Sequence, residues 1–406
     1  MQRRFLFRFC ILTLAAAAVA ACSAKTPKHA PTQPVPEAPK TTPGKPMEAP
    51  PFLNRASFDI PPEARLWTPL LQRLAADGFA PQDLTALFSR PDMRFDPGPM
   101  ITKMRELKRI GMRTEETKQI QIGLLRLGFE TGRPDGLPGD ATRAAIRDFQ
   151  KSAGLAQDGK PTIALLQTIQ NEVRRRGLEN APLPEFKTPS STKVYSWALT
   201  PSQKKESAAF LQQHRGLLRR MEQRYGVPAE LAVAILTVET RLGQYFGKDK
   251  AVVALASMAM AGDYDVVAPQ MAGESVDAEM EAYLRKRAQE KGDWAYAELK
   301  ALLQYAQANR LDPLSIPGSV YGAFGLGQFM PSNALKFGVD GDGNGTVDLF
   351  AIEDMAPSFG AYMQGHGWAG DMRDVERRRE VVMRYNKSSV YVNTVLALAD
   401  YLHQHK

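Results

Sequence analysis

The sequence predicts a mainly α-helical protein. Apolar residues recur at helical spacing from about Pro61 onward. Prolines stand at the head of several of these runs, as Pro81 and Pro228 do. No stretch shows the sustained two-residue alternation of a half-buried strand. At 406 residues the chain has room for two to four domains. With 44% apolar and 24% charged residues it is neither a polytopic membrane protein nor wholly disordered.

Each helix follows from a local signal. Leu66, Leu70, Leu71 and Leu74 share one face, and Asp77-Gly78 ends that run. Pro81 opens a short helix through Leu87, and Ile101, Met104 and Leu107 mark a third. Ile120, Leu124 and Leu125 lead into a Leu127-Gly128-Phe129 turn. Thr142 is placed to cap a helix carrying Ala145, Ile146 and Phe149, and Thr162 to open one through Leu165 and Ile169. Beyond Pro182, helical stretches are expected at 201–225, 228–242, 276–289, 293–308, 354–365 and 389–404.

The thiol and imidazole content narrows the chemistry. There are five histidines and two cysteines, Cys10 and Cys22. Arg3, Arg4 and Arg8 precede an apolar run from Phe9 to Ala21, too short to span a bilayer and suited to a signal peptide. Val19-Ala20-Ala21-Cys22 resembles a bacterial lipobox, in which the cysteine is lipidated and becomes the first mature residue. A plain secretory signal cut near Ala21 is the alternative. Either way no thiol belongs to the folded part. A Cys–His zinc site has almost no material, a cysteine nucleophile has none and a disulfide framework is impossible, so the chemistry falls mainly to carboxylates, hydroxyls and amides. Loss of the three leader arginines takes the net charge from +8 to +5, mildly suited to an anionic polymer. Nine prolines between Pro27 and Pro51 make residues 22–54 an extended tether.

One glutamate stands out. The run from Gly226 to Gly243 is apolar apart from Glu230, Thr237, Glu239, Thr240 and Arg241. Glu230, in the first turn, needs no reading beyond the helix dipole. Glu239 arrives near the end of the helix with Ile235, Leu236, Leu242 and Gly243 at its helical offsets and no cation among them. Such a carboxyl is expected to have a raised pKa, the property a general acid for a glycosidic oxygen needs. A surface glutamate paired with Arg241 is the plainer alternative. The stretch from Gly318 to Ser332 is rich in glycine and aromatics. It lacks the Gly-Lys-Ser/Thr ending of a phosphate loop, whereas glycines and the Gln328 amide suit a polysaccharide.

Residues 340–348 have EF-hand spacing. Asp340, Asp342, Asn344 and Asp348 fall at positions 1, 3, 5 and 9, Gly345 at 6, Thr346 at 7 with its backbone oxygen, and Val347 at 8. Ala351 stands where the twelfth-position glutamate belongs. A Gly/Asp turn without metal is the alternative.

Two resemblances add to this. Residues 112–177, with Leu127-Gly128-Phe129, Asp135-Gly136, Phe149-Gln150 and Asp158-Gly159, resemble the small three-helix peptidoglycan-binding domain of cell-wall enzymes. Pro138 stands where an aromatic is usual, and a structural spacer is the alternative. Val238-Glu239-Thr-Arg-Leu-Gly243, the Gly322–Ser332 motif, His366-Gly367-Trp368 and Arg384-Tyr385-Asn386-Lys-Ser-Ser-Val-Tyr391 together resemble the membrane-bound lytic murein transglycosylase B family (glycoside hydrolase family 103). The resemblance covers roughly 185–406 and, more weakly, 57–110. Leu242 departs from it, replacing a usual Trp.

That family implies a lysozyme-like helical catalytic domain into which the peptidoglycan-binding unit is inserted. It implies cleavage of the MurNAc–GlcNAc bond without water, Glu239 acting as acid and then base to give 1,6-anhydro ends. Ser319, Gln328, Tyr362, Tyr385 and Asn386 would line the glycan cleft. Asp354 would complete a structural Ca2+ site with Asp340, Asp342, Asn344, Thr346 and Asp348. The expected division is signal peptide 1–21, tether 22–54, N-terminal helical part 55–111, peptidoglycan-binding domain 112–177 and catalytic domain 178–406, with the calcium loop at 340–354. Expected partners are peptidoglycan glycan strands and the outer membrane through lipidated Cys22, facing the periplasm. A monomer is expected, with no nucleic acid and no organic cofactor. A peptidoglycan-tethering lipoprotein without catalysis and a hydrolytic muramidase are the competing readings.

Overall fold

A computed structural model describes residues 60–406 apart from 111–113, 185, 187–192, 272–275, 277, 371–373 and 406. The leader, Cys22, the tether and Gly111 lie outside the described residues. A 3-10 turn, Pro62–Trp67, leads into α1 (Thr68–Ala76), α2 (Pro81–Phe88) and α3 (Gly98–Ile110). Leu70, Leu71 and Leu74 are buried as their spacing requires, but Leu66 is 57% exposed. The tighter 3-10 winding rotates it off the shared face.

Helices α4 (Thr114–Arg126), α5 (Asp140–Ser152) and α6 (Ile163–Arg175) form a unit with its own hydrophobic cluster, drawn from Ile120 to Val173. Thr162 caps α6 as expected, accepting from the Leu165 N–H at 3.1 Å. Thr142 is not a cap. Gly139 precedes the helix, and Thr142 lies inside it, 2% exposed, accepting a 2.9 Å bond from the Gln121 amide. A buried partner from α4 outweighs the local capping preference. Gln121 also accepts the Gly136 N–H at 2.8 Å, and Gln150 does the same for Gly159 at 3.0 Å. Each amide also donates to the aspartate of its own turn, Asp135 or Asp158. One device thus pins both Asp-Gly turns.

The main hydrophobic cluster draws on residues 64–107 and 211–402, on both sides of that unit. Its helices are α7 (Pro201–Gln213), α8 (Arg215–Tyr225), α9 (Ala229–Thr240), α10 (Ala251–Met260), α11 (Tyr264–Val267), α12 (Ala278–Ala308), α13 (Pro331–Phe337), α14 (Ile352–Gly365), α15 (Val375–Tyr385) and α16 (Ser389–Gln404). The expected 201–225 helix breaks at His214, whose ψ of 19° ends α7. The only strand pair among the described residues is β1 (Asp249–Lys250), antiparallel to β2 (Pro317–Gly318). None of the described helices is singly long and apolar enough to cross a membrane.

The break expected between 289 and 293 is absent, because α12 runs through Gly292. That glycine sets a close approach rather than a stop. A Cβ there would lie 2.4 Å from the Gly262 Cα, at the end of α10. Gly292→Ala would gain about 1 kcal/mol of helix propensity, but the clash is with backbone that cannot yield. A net loss of about 1–3 kcal/mol is expected, read as a lower urea midpoint at constant slope.

Candidate active site

Helix α9 is apolar on nearly every face, with Leu231 through Leu236 all buried. It packs against α7, α8 and α16. Helix α9 stops because Arg241 and Leu242 both turn left-handed, at φ 51° and 60°. A reversal at two non-glycine residues is strained backbone of the kind functional sites hold. It leaves Glu239 in the last turn, its side chain half-buried between core and surface.

The Glu239 carboxyl is taken out of water, and this burial pushes its pKa up to about 7. One bond opposes the shift: the Tyr391 hydroxyl donates to Glu239 Oε1 at 2.7 Å. Arg241 does not pair with Glu239. Its guanidinium lies over the Trp197 ring, 5.0 Å from the centroid.

The tyrosines gather beside the acid. Tyr391 and Tyr385 lie nearly parallel with centroids 6.4 Å apart, and Tyr385 meets Tyr362 edge-on at 5.0 Å. Tyr362 in turn stacks on His366 at 4.0 Å. Burial first, and then the Glu239 charge, holds the hydroxyls of Tyr362, Tyr385 and Tyr391 protonated, with Tyr362 pushed up to about 12. They can serve as donors and not as bases.

The glycine-rich loop forms the next wall. The Tyr385 hydroxyl donates to the Gly327 carbonyl. Gln328 is left-handed at φ 50°, and its amide bonds the Gly325 carbonyl at 3.1 Å. Ser319 Oγ accepts the N–H groups of Tyr321 at 3.3 Å and Ala323 at 3.1 Å, so this hydroxyl braces the turn it belongs to. Asn386 follows Tyr385 at the end of α15, and its buried Oδ1 accepts no bond among the described residues. Tyr391 therefore links Glu239 to Tyr385, and Tyr362 packs on Tyr385. Gln328 joins them through its neighbour Gly327 and Asn386 through its neighbour Tyr385, while Ser319 stands further along the loop.

Two positioning contacts were not anticipated. Tyr391 belongs to a quoted motif, yet nothing in its spacing shows that it reaches a glutamate 152 residues earlier. Thr240 is 1% exposed and joins the two walls, donating to the Leu326 carbonyl at 2.9 Å and accepting from Gly243 N at 3.1 Å.

Beyond this loop lies an oxygen cluster. Carboxylate oxygens of Asp340, Asp342 and Asp354 lie within 4.8 Å of one another. Asp354 is 1% exposed, its oxygens accepting Gly341 N at 2.8 Å and Asp348 N at 2.6 Å. Backbone N–H groups, Gly345 foremost, hold the Asp340 carboxyl below its ordinary pKa. Asn344 Oδ1 faces Thr346 N at 2.9 Å, and Asp348 Oδ1 accepts Phe350 N at 2.9 Å. Three converging carboxylates with amide and carbonyl oxygens nearby fit a hard divalent cation. The cluster is tied to the cleft, since Leu326 N donates to Leu349 O at 2.9 Å.

A family model described as a transglycosylase SLT domain matches residues 142–377, and a peptidoglycan binding domain model matches 113–169. Membrane-bound lytic murein transglycosylase B of Escherichia coli strain K12 is 32% identical over 215 residues, 50% of this chain and 52% of that protein. The match thus spans about half the length of that relative. Among solved structures, soluble lytic transglycosylase SltB1 of Pseudomonas aeruginosa aligns with a TM-score of 0.43 at 21% identity, over 65% of this chain and 98% of its own. Lytic transglycosylase Slt35 of Escherichia coli, in a complex with calcium, aligns at 0.42 and 20% identity, over 70% and 98%. The chain belongs to the transglycosylase SLT domain family, whose model covers more than half of its length.

Proposed function

We propose that this protein is a peptidoglycan lytic transglycosylase. The observation that carries the reading is a desolvated Glu239 carboxyl, protonated near neutrality, beside a tyrosine-lined wall. Glu239 protonates the glycosidic oxygen between MurNAc and GlcNAc, and the substrate's N-acetyl group stabilises the cationic centre. Glu239 then takes the proton of the C6 hydroxyl, which closes the 1,6-anhydro ring. Gln328, Asn386, Tyr362, Tyr385 and Ser319 line the glycan path. A hydrolase with two carboxylates holds them roughly 5–10 Å apart. A second charge that close would act on Glu239. Among the described residues, burial and Tyr391 account for the Glu239 shift, which favours the water-free route.

The rest of the domain division follows the same reading: a lipidated Cys22 on the periplasmic face of the outer membrane, a proline-rich tether, and a peptidoglycan-binding unit inserted in a lysozyme-like helical fold. The protein acts as a monomer. Calcium is the cation for Asp340, Asp342 and Asp354, with Asn344, Asp348 and the Thr346 backbone oxygen completing the shell. It would supply rigidity to the 340–354 loop and takes no part in the chemistry.

The test is product analysis. Full-length protein in detergent is incubated with purified peptidoglycan, and the soluble fragments are weighed by mass spectrometry. Anhydro-muramyl ends are expected. Reducing ends would make it a muramidase, and binding without release would make it a tether. Tyr391→Phe removes the one bond that lowers the Glu239 pKa. Its activity is expected to fall about tenfold while the alkaline limb of its pH profile moves upward, as a pH–rate series would show.

A further inference from the structure

Arg241 is the charged member of the Glu239 motif that the mechanism leaves unused. Its backbone is fixed by the left-handed turn, with its N–H on the Thr237 carbonyl at 3.0 Å. Its side chain is half-buried and lies over half-buried Trp197. Trp197 belongs to the 3-10 turn Ser196–Leu199, which packs on α16, the helix that supplies Tyr391. No carboxylate lies within ion-pair distance of Arg241 among the described residues. Glu206, which Gln244 reaches from three residues beyond Arg241, is taken up by the amides of Gln203 and Gln244, both at 3.4 Å. The Arg241 charge does not enter the environment of the Glu239 carboxyl either.

A guanidinium with one face on an indole keeps its N–H edge free, and that edge grips a carboxylate through two parallel bonds. It has already given up the motion a free arginine loses on binding. The geometry points to a carboxylate subsite at the rim of the cleft, built from Arg241 on Trp197, that takes the acidic peptide stem borne by MurNAc. This rests on the peptidoglycan reading above and deepens it: in a stem-bearing strand the lactyl group of MurNAc is an uncharged amide, so the carboxylates a pre-aimed cation can hold are those of the stem.

The experiment compares the full chain with Arg241→Gln and Trp197→Leu, each first shown to melt normally. The first readout is kcat/KM for anhydro-end release from stem-bearing strands and from strands stripped of stems by an amidase and then amidated at the exposed lactyl carboxylates. The parent is expected to prefer stem-bearing strands, and Arg241→Gln to reduce that preference about tenfold, mainly through KM. Trp197→Leu keeps the charge but unpins it, and is expected to fall between. The second readout needs no turnover: calorimetry of GlcNAc–MurNAc-pentapeptide against GlcNAc–MurNAc capped as its lactyl methylamide, in a Glu239→Gln background with and without Arg241→Gln. Any contribution of the inserted unit is common to both chains and cancels in the difference. A parent that binds the pentapeptide form but forms no anhydro ends would sink the transglycosylase reading and leave the subsite standing. An unchanged preference in Arg241→Gln, or equal losses on both ligands, would overturn the subsite.

Discussion

Glu239→Gln is expected to abolish release of anhydro-muramyl ends, a loss of at least about 10²–10⁴ in kcat, while making the folded protein more stable above neutrality. Both effects have one cause. The cleft holds a carboxyl that prefers its proton, with a native pKa of about 7 against an ordinary 4.5. Below 4.5 both folded and unfolded chains are protonated there and the group costs nothing. Between about 4.5 and 7 the unfolded chain ionises this carboxyl while the folded chain keeps its proton, and stability is lost across that window. The full penalty is roughly 3 kcal/mol and is complete above about pH 8. Glutamine keeps the shape and can still accept the Tyr391 hydroxyl, but never ionises. Melts at pH 5 and pH 8 check this. The parent loses stability relative to the variant across that interval, and equal slopes would contradict a buried acid. Parent activity, which needs the protonated form, is expected to fall on the alkaline side of about 7.

Asp354→Ala carries the second large effect. Two backbone N–H groups, of Gly341 and Asp348, point at this buried carboxylate. Alanine leaves both without it, at a cost of about 2–5 kcal/mol. It also removes the deepest of the three convergent carboxylates. Calcium at a hundredfold excess over its dissociation constant would stabilise the parent by about 2.7 kcal/mol. That increment, read as a Tm difference with and without chelator, is expected to vanish in the variant. Because Leu349 carries the Leu326 N–H and Thr240 holds the Leu326 carbonyl, activity is expected to fall with it. A calcium response that survives in Asp354→Ala would place the cation elsewhere.

What was legible in the sequence is what local spacing controls. The mainly α architecture, Glu239 and the acidic loop each follow from residues within a few turns of one another. The missing cation at the helical offsets of Glu239 correctly anticipated a desolvated acid. What escaped was set by distant partners. Gly292 reads as a break unless Gly262 is known to face it, and Thr142 reads as a cap unless Gln121 is known to reach it. Helix α10 is apolar on nearly every side, so it offers no periodicity to detect. Tyr391 and Arg241 were both in view as letters. Only the packing of α16 and of the 3-10 turn at Trp197 on the end of α9 shows what they touch.

The split of the main cluster has a consequence for the order in which the protein folds. Residues 120–173 carry their own small core and can close it with no help from later sequence. The larger core cannot, because the strip at 64–107 waits for partners as late as Leu402. The acid emerges on α9, but the hydroxyl that holds it arrives on α16. A chain cut short before α16 can therefore fold the 120–173 unit while the surroundings of Glu239 do not yet exist. The Glu239–Tyr391 contact is completed only once α16 has packed on α9, so the acid takes up its observed surroundings as one of the last steps of folding.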